Sequence, residues 1–118
     1  MRFVYGLIIF LVLPGFTFTE DQNRLEKDFS PASVSLKQNF PNPYNPITFI
    51  EYYLPEKTYA ELNVYNILGK KLFGLVASEQ EKGWYSVSFD AEGLPSGLYL
   101  YELNTASFRQ IKKMLYMK

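Results

Sequence analysis

The sequence contains neither cysteine nor histidine among its 118 residues. Without cysteine the chain forms no disulfide and has no thiol nucleophile, and without histidine it lacks the commonest general base. Both residues are also the commonest protein ligands of zinc. These absences predict a protein that is not an enzyme and has no cofactor, and they leave its compartment undetermined by redox chemistry.

Net charge is also absent, because 12 basic residues balance 12 acidic ones. A neutral chain has no overall field to attract nucleic acid, so no nucleic-acid partner is predicted. The charges are nevertheless uneven. Residues 20–28 carry four acids against Arg24 and Lys27, whereas residues 108–118 carry only basic charges. Lys112 and Lys113 have two possible roles: lysines on an edge strand prevent aggregation, or they contact a partner.

The sequence contains only weak patterns for a site that binds a metal ion or a small molecule. Glu79 and Glu81 form one carboxylate pair and Asp90 and Glu92 another, and both pairs fall in predicted turns, where charged side chains are solvated. A weak calcium site at Asp90 and Glu92 is the alternative. Glycines 93 and 97 form no phosphate-binding pattern, because no helix follows them. No small-molecule substrate is therefore predicted.

The first 19 residues resemble a secretory signal peptide. Arg2 precedes an apolar run at residues 3–13, and Pro14-Gly15 and small threonines follow it. The run is shorter than the ~20 residues of a membrane-spanning helix. A retained anchor and a buried strand are the alternatives. Residues 20–32 are polar and lack a period, which predicts a linker before a domain at residues 33–118.

From residue 33 onward, short segments of period two predict antiparallel strands. Thr48, Ile50, Tyr52 and Leu54 would share one face of a strand, and residues 60–64 repeat the pattern after a polar turn. We therefore expect these two segments to form a β-hairpin.

Turn residues divide the remainder of the domain. Residues 66–70 predict a tight turn with Ile67 and Leu68 buried and Gly69 at positive φ. Strands are predicted at residues 72–76, 84–90, 98–103 and 108–117, with a polar turn at residues 78–83 and the 98–103 strand central and covered on both faces. With a short first strand at residues 34–36, this gives about seven strands at spacings of about 8 to 12 residues. The prediction is an all-β, immunoglobulin-like antiparallel β-sandwich.

Residues 38–46, here called the proline segment, read Gln-Asn-Phe-Pro-Asn-Pro-Tyr-Asn-Pro. Each proline fixes φ and lacks a backbone donor, and it pushes the preceding residue toward extended geometry, so neither a helix nor a central strand forms there. Phe40 and Tyr44 supply the large apolar side chains. We expect them to dock the segment against the folded body as a stiff entrance to the domain.

Five ordered motifs resemble the type A carboxy-terminal sorting domain of type IX secretion cargo. They are residues 36–46 (Leu-Lys-Gln-Asn-Phe-Pro-Asn-Pro-Tyr-Asn-Pro), Leu54-Pro55, Tyr65-Asn66-Ile67-Leu68-Gly69, Ser96-Gly97-Leu98-Tyr99 and Lys112-Lys113-Met114. The resemblance extends over residues 33–118. Departures are small: Ala91 stands where glycine is frequent, and Tyr85 and Phe89 replace residues that are often histidine and tryptophan.

The resemblance implies a non-catalytic domain that directs an exported protein from the periplasm across the outer membrane to the cell surface or the medium. Its partners would be the outer-membrane secretion machinery and a sortase-like protease that removes the domain. The implied sorting residues are Leu94, Gly97, Tyr99, Lys112, Lys113, Met114 and Lys118.

Residues 20–32 are too few for a folded cargo. This leaves three hypotheses: a truncated gene, a module that uses the machinery for itself, or a surface immunoglobulin-like adhesion or structural interaction domain.

Overall fold

The computed structural model describes residues 31–118, which contain seven β-strands and no helix. The predicted signal peptide and nearly all of the predicted linker lie outside these residues. The strands are β1 (Ser35–Leu36), β2 (Ile47–Leu54), β3 (Thr58–Tyr65), β4 (Lys71–Gln80), β5 (Gly83–Asp90), β6 (Gly97–Thr105) and β7 (Arg109–Tyr116). The predicted number of strands is confirmed.

The strands form two antiparallel sheets, a three-stranded sheet in the order β1-β2-β5 and a four-stranded sheet in the order β4-β3-β6-β7. Immunoglobulin constant domains place their fourth strand beside their fifth. Here β4 instead pairs with β3. The position of β4 therefore differs from that in the constant domain, whereas the predicted all-β sandwich of two antiparallel sheets is confirmed.

Alternating side chains from both sheets form one core, because successive residues of a strand point to opposite faces. The predicted inward faces of β2 and β3 are buried: Thr48, Ile50, Tyr52, Leu54, Ala60, Leu62 and Val64 are 0% exposed. Phe89, Tyr99, Tyr101 and Leu103 complete the core from β5 and β6. Because the facing sides of both sheets contribute to one buried cluster, the two sheets form a sandwich.

The predicted hairpin between β2 and β3 is wrong. β2 pairs with β1 and β5, and β3 pairs with β4 and β6, so the polar turn at residues 55–57 crosses from one sheet to the other. Both strands bury one full apolar face. These faces lie in opposite sheets and pack into one core, which removes both of them from water.

Several local predictions are also wrong. Ile67 is 65% exposed and Leu68 is 88% exposed, although both were expected to be buried; Gly69 has the expected positive φ of 86°. β4 continues through residue 80, so Glu79 lies in a strand and not in a turn. β6 is central in its sheet as predicted, but Leu98 on its outer face is 41% exposed.

The proline segment links β1 to β2, so it is not an entrance to the domain. The peptide bonds before Pro41, Pro43 and Pro46 are cis. The segment is docked as predicted, with Tyr44 2% exposed, but Phe40 is 78% exposed. Tyr44 alone of the two aromatic residues reaches the core.

Candidate functional site

The fold brings most of the predicted sorting residues to neighbouring positions on β6 and β7. In the antiparallel register Gly97 faces Tyr116 and Tyr99 faces Met114. Lys113 faces Leu100, and Lys112 faces Tyr101. Leu94 lies in the loop that precedes β6. The amide of Lys118, just after β7, donates to the Ser96 hydroxyl at 3.1 Å.

Leu94, Gly97 and Tyr99 build a tyrosine corner, a feature of immunoglobulin-like sandwiches in which a tyrosine near the start of the sixth strand bonds to the backbone just upstream. The Tyr99 hydroxyl donates to the Pro95 carbonyl at 2.6 Å, and the Leu94 amide donates to the Ala91 carbonyl at 2.9 Å. Gly97 has a φ of 152°, which side-chain-bearing residues rarely adopt. These residues therefore shape the entry into β6. The spacing of Leu94, Gly97 and Tyr99 could have indicated this role in the sequence.

Met114 and Tyr116 are buried beneath the same corner. Met114 is 0% exposed, and the Tyr116 ring stacks on that of Tyr44, with ring centroids 5.4 Å apart. Burial, followed by the neighbouring hydroxyls of Tyr99 and Tyr116, raises the pKa of Tyr44 well above its usual value. The Tyr44 hydroxyl is buried with no hydrogen-bond partner among residues 31–118. Met114 is thus a core residue.

The three lysines do not form one basic patch. Lys112 lies on the inward-facing side of β7 with Met114 and is half-buried, whereas Lys113 is exposed on the outer face, because neighbouring side chains of a strand alternate. Lys118 follows the end of the strand, about 20 Å from Lys112 along an extended chain. None of the three forms an ion pair with a residue in the described part of the chain.

The proline segment covers the outer edge of β7, a role that sequence reasoning missed. The Tyr44 amide donates to the Leu115 carbonyl and the Met117 amide donates to the Tyr44 carbonyl, each at 3.0 Å. The Asn42 side chain accepts from the Leu115 amide at 2.9 Å, and the Gln38 side chain donates to the Lys113 carbonyl at 2.6 Å. These bonds pair the backbone groups of β7 that face away from β6.

Turns from different parts of the chain meet at one end of the sandwich, here called the corner end. It comprises residues 91–97, the β3–β4 turn at residues 66–70 and residues 117–118, because Tyr65 faces Leu100 and Gly97 faces Tyr116 in the sheet. The turn's backbone is fixed by the Asn66 side chain, which accepts from the amides of Leu68 and Lys70 at 2.9 and 3.0 Å. This rigid turn leaves Ile67 and Leu68 in solvent. Met117 at the same end is 53% exposed.

A buried carboxylate lies farther along the four-stranded sheet. Glu102 is 4% exposed, accepts a 2.7 Å hydrogen bond from the Tyr65 hydroxyl and pairs with Arg109. Burial acts to raise the pKa of Glu102, but the bonds from Tyr65 and Arg109 outweigh it and hold that pKa below its usual value. The ion pair joins β6 to β7 and has no free carboxylate to offer a substrate.

Other surfaces contain none of the predicted sorting residues. A shallow groove of about 450 Å³ on the three-stranded sheet is lined by Lys37, Gln38, Phe40, Phe49, Glu51 and Ser86. Among residues 31–118 no three acidic side chains are grouped so that they could hold a metal ion. In the same residues no helix has the length and apolarity needed to cross a bilayer.

Comparison with known proteins matches residues 38–117 to the family described as secretion system C-terminal sorting domain. No curated protein and no solved structure matches the chain. The matched family is a sorting signal and not a catalytic family; it marks proteins for export by type IX secretion to the cell surface or the extracellular space. Its match spans most of the chain, and all five of the ordered motifs lie at least partly within it. The chain therefore belongs to the family of type IX secretion C-terminal sorting domains.

Proposed function

We propose that the corner end is the surface by which the type IX machinery of the outer membrane recognises this domain after the chain reaches the periplasm. The observation that carries the proposal is the exposed pair Ile67 and Leu68, held on a turn that the Asn66 side chain makes rigid. Neither side chain belongs to the core or packs against it. A rigid exposed apolar pair is a typical protein-binding feature.

The corner end contains two basic residues and one acidic residue, Glu92. Lys70 and Lys118 lie at the corner end itself, and Lys113 lies on the adjacent outer face of β7. β7 is two strand spacings, about 10 Å, from β3, so one partner surface can reach both the turn and Lys118. The proposed partner surface therefore combines an apolar pocket with acidic side chains.

In this proposal the predicted sorting residues have two different roles. Leu94, Gly97, Tyr99 and Met114 act indirectly, because they fold the corner and hold β7 in register. Lys113 and Lys118 contact the partner, and Lys112, half-buried on the opposite face, contributes less. A sortase-like protease then separates the domain from the protein that it accompanies.

The test places residues 33–118 behind an exported reporter in a host that has the type IX machinery. Ile67→Ser with Leu68→Ser should leave the reporter in the periplasm, and Lys113→Gln with Lys118→Gln should weaken surface delivery. The matched controls are Tyr59→Ser, an exposed aromatic residue on β3, and Lys57→Gln at the opposite end of the sandwich. Neither control should change delivery.

Deleting residues 112–118 is a poor test, because it removes the buried Met114 and Tyr116 and would unfold the domain. Point substitutions avoid that ambiguity when circular dichroism shows that each variant is folded. Full surface delivery by the Ile67 and Leu68 double variant would overturn the assignment of the corner end. Retention of the unaltered fusion in the periplasm would instead favour the adhesion or structural module as the function.

A further inference from the structure

The two sheets of this sandwich have four edges, and three of them are protected against pairing with another strand. β7 is covered by the proline segment and carries Lys112 and Lys113. β4 has two irregularities in its register with β3, where Leu75 and Leu72 are extra residues. β1 is only two residues long. An edge strand is usually kept from pairing with another strand by a covering segment, by lysines, by bulges or by being short.

The fourth edge, β5, has none of these protections. Residues 83–89 contain no charged residue and no proline, and β5 pairs with β2 through eight consecutive residues without a bulge. A long edge strand without a bulge, uncharged over most of its length, is a template for an added strand.

The backbone groups that β5 offers can be identified from the hydrogen bonds of β2. Phe49 and Glu51 bond to Phe40 and Lys37, so their backbone groups face β1. The alternate residues of β2 therefore face β5 and bond to Tyr85, Val87 and Phe89. The backbone N–H and C=O groups of Trp84, Ser86 and Ser88 point away from β2. In the described part of the chain no hydrogen bond to these groups is found.

We propose that a second copy of this chain occupies the β5 edge, so that the two three-stranded sheets join into one six-stranded antiparallel sheet. An uncharged edge is the kind that can pair with itself, because identical charges facing each other repel. The pairing is two-fold symmetric, and such a contact closes at a dimer without forming fibres.

Side-chain complementarity selects the register centred on Ser86. In that register Ser86 faces Ser86, Trp84 faces Ser88 and Tyr85 faces Val87, an aromatic and β-branched pair. Lys82 of each copy faces Asp90 of the other, so opposite charges meet at both ends of the ladder. The register centred on Val87 would instead place the carboxylate of Asp90 against Trp84, which is 46% exposed and contacts Tyr53 and Lys37.

The inference does not depend on the sorting role. It is tested with the full chain, recovered after export, by sedimentation velocity across a wide range of concentrations. A concentration-dependent monomer–dimer equilibrium is expected. Ser86→Lys places two ammonium groups opposite each other at the two-fold axis and should weaken dimerisation by about tenfold or more. Ser78→Lys, at an exposed serine of the bulged strand β4, should leave the equilibrium unchanged.

Thiol cross-linking tests the register and does not require a charged variant to fold. The chain has no cysteine, so a single introduced thiol reports on its own position. Hydrogen-bonded antiparallel pairs have Cα atoms about 5.5 Å apart, within the range that a disulfide bridges. Mild oxidation should convert Ser86→Cys to a covalent dimer and leave Ser78→Cys monomeric. A monomer at every concentration, equal cross-linking of both variants, or dimerisation unaffected by Ser86→Lys would each overturn the proposal.

Discussion

Three buried tyrosines have the same side chain and different numbers of hydrogen bonds, so tyrosine-to-phenylalanine variants isolate what each hydroxyl contributes. The Tyr101 hydroxyl donates to the Lys37 carbonyl at 2.7 Å and accepts from the Asn39 amide at 2.8 Å. The Tyr99 hydroxyl donates once, to Pro95 at 2.6 Å. The Tyr44 hydroxyl has no hydrogen-bond partner among residues 31–118.

The number of hydrogen bonds that each hydroxyl makes predicts how much stability each tyrosine-to-phenylalanine variant loses. A net hydrogen bond contributes about 1 kcal/mol to stability, and a buried polar group without a partner costs about 1–3 kcal/mol. Tyr101→Phe should lower the free energy of unfolding by about 2 kcal/mol and Tyr99→Phe by about 1 kcal/mol. Tyr44→Phe should leave it unchanged or raise it by up to about 1 kcal/mol, because the variant removes a buried hydroxyl that lacks a partner. For a domain of this size, the loss expected for Tyr101→Phe corresponds to a fall in Tm of about 10 °C.

Urea unfolding provides the assay, with the fluorescence of the single tryptophan, Trp84, and circular dichroism as two independent probes. Tyr59→Phe is the baseline, because Tyr59 is 49% exposed. Equal m-values across the series would show that the variants change stability and not the compactness of either state. If Tyr44→Phe destabilised the domain as much as Tyr101→Phe, the reasoning from hydrogen bonds would be refuted.

Four further outcomes are expected. Gly97→Ala should destabilise the domain by about 1–2 kcal/mol in urea unfolding, because alanine is strained at a φ of 152°, and an unchanged midpoint would contradict this. Met114→Ala should cost about 2–5 kcal/mol in the same assay, since it leaves a cavity beneath the tyrosine corner. Burial raises the pKa of Tyr101 from 10.0 to about 12, so the unfolded chain loses this proton first and stability should fall between pH 10 and 12, with a shallower fall in Tyr101→Phe. The pKa of Glu102 is lowered in the folded state, so its contribution should be lost as the pH falls below about 4.5, and Glu102→Gln should show less of this acid dependence in thermal melts.

The sequence determined the strands because their periodicity is local. Period-two alternation at Thr48, Ile50, Tyr52 and Leu54 and at Ala60, Leu62 and Val64 defined the inward faces correctly, since each residue's direction depends only on its neighbours in the strand. The five motifs likewise indicated the family, because each is a short run of residues and their order along the chain is fixed. Gly69 was assigned its positive φ from turn chemistry alone.

Tertiary structure decided what depends on partners distant in sequence. The alternation of β2 and β3 fits a hairpin as well as two stacked sheets, and only packing against β5 and β6 placed them in different sheets. Residue spacing could not show that Tyr44 bonds to β7 or that Ile67 and Leu68 stay in solvent. Composition and period specify which residues are buried in a strand. The free energy of the whole core decides which strands are neighbours and which edge, here β5, remains open.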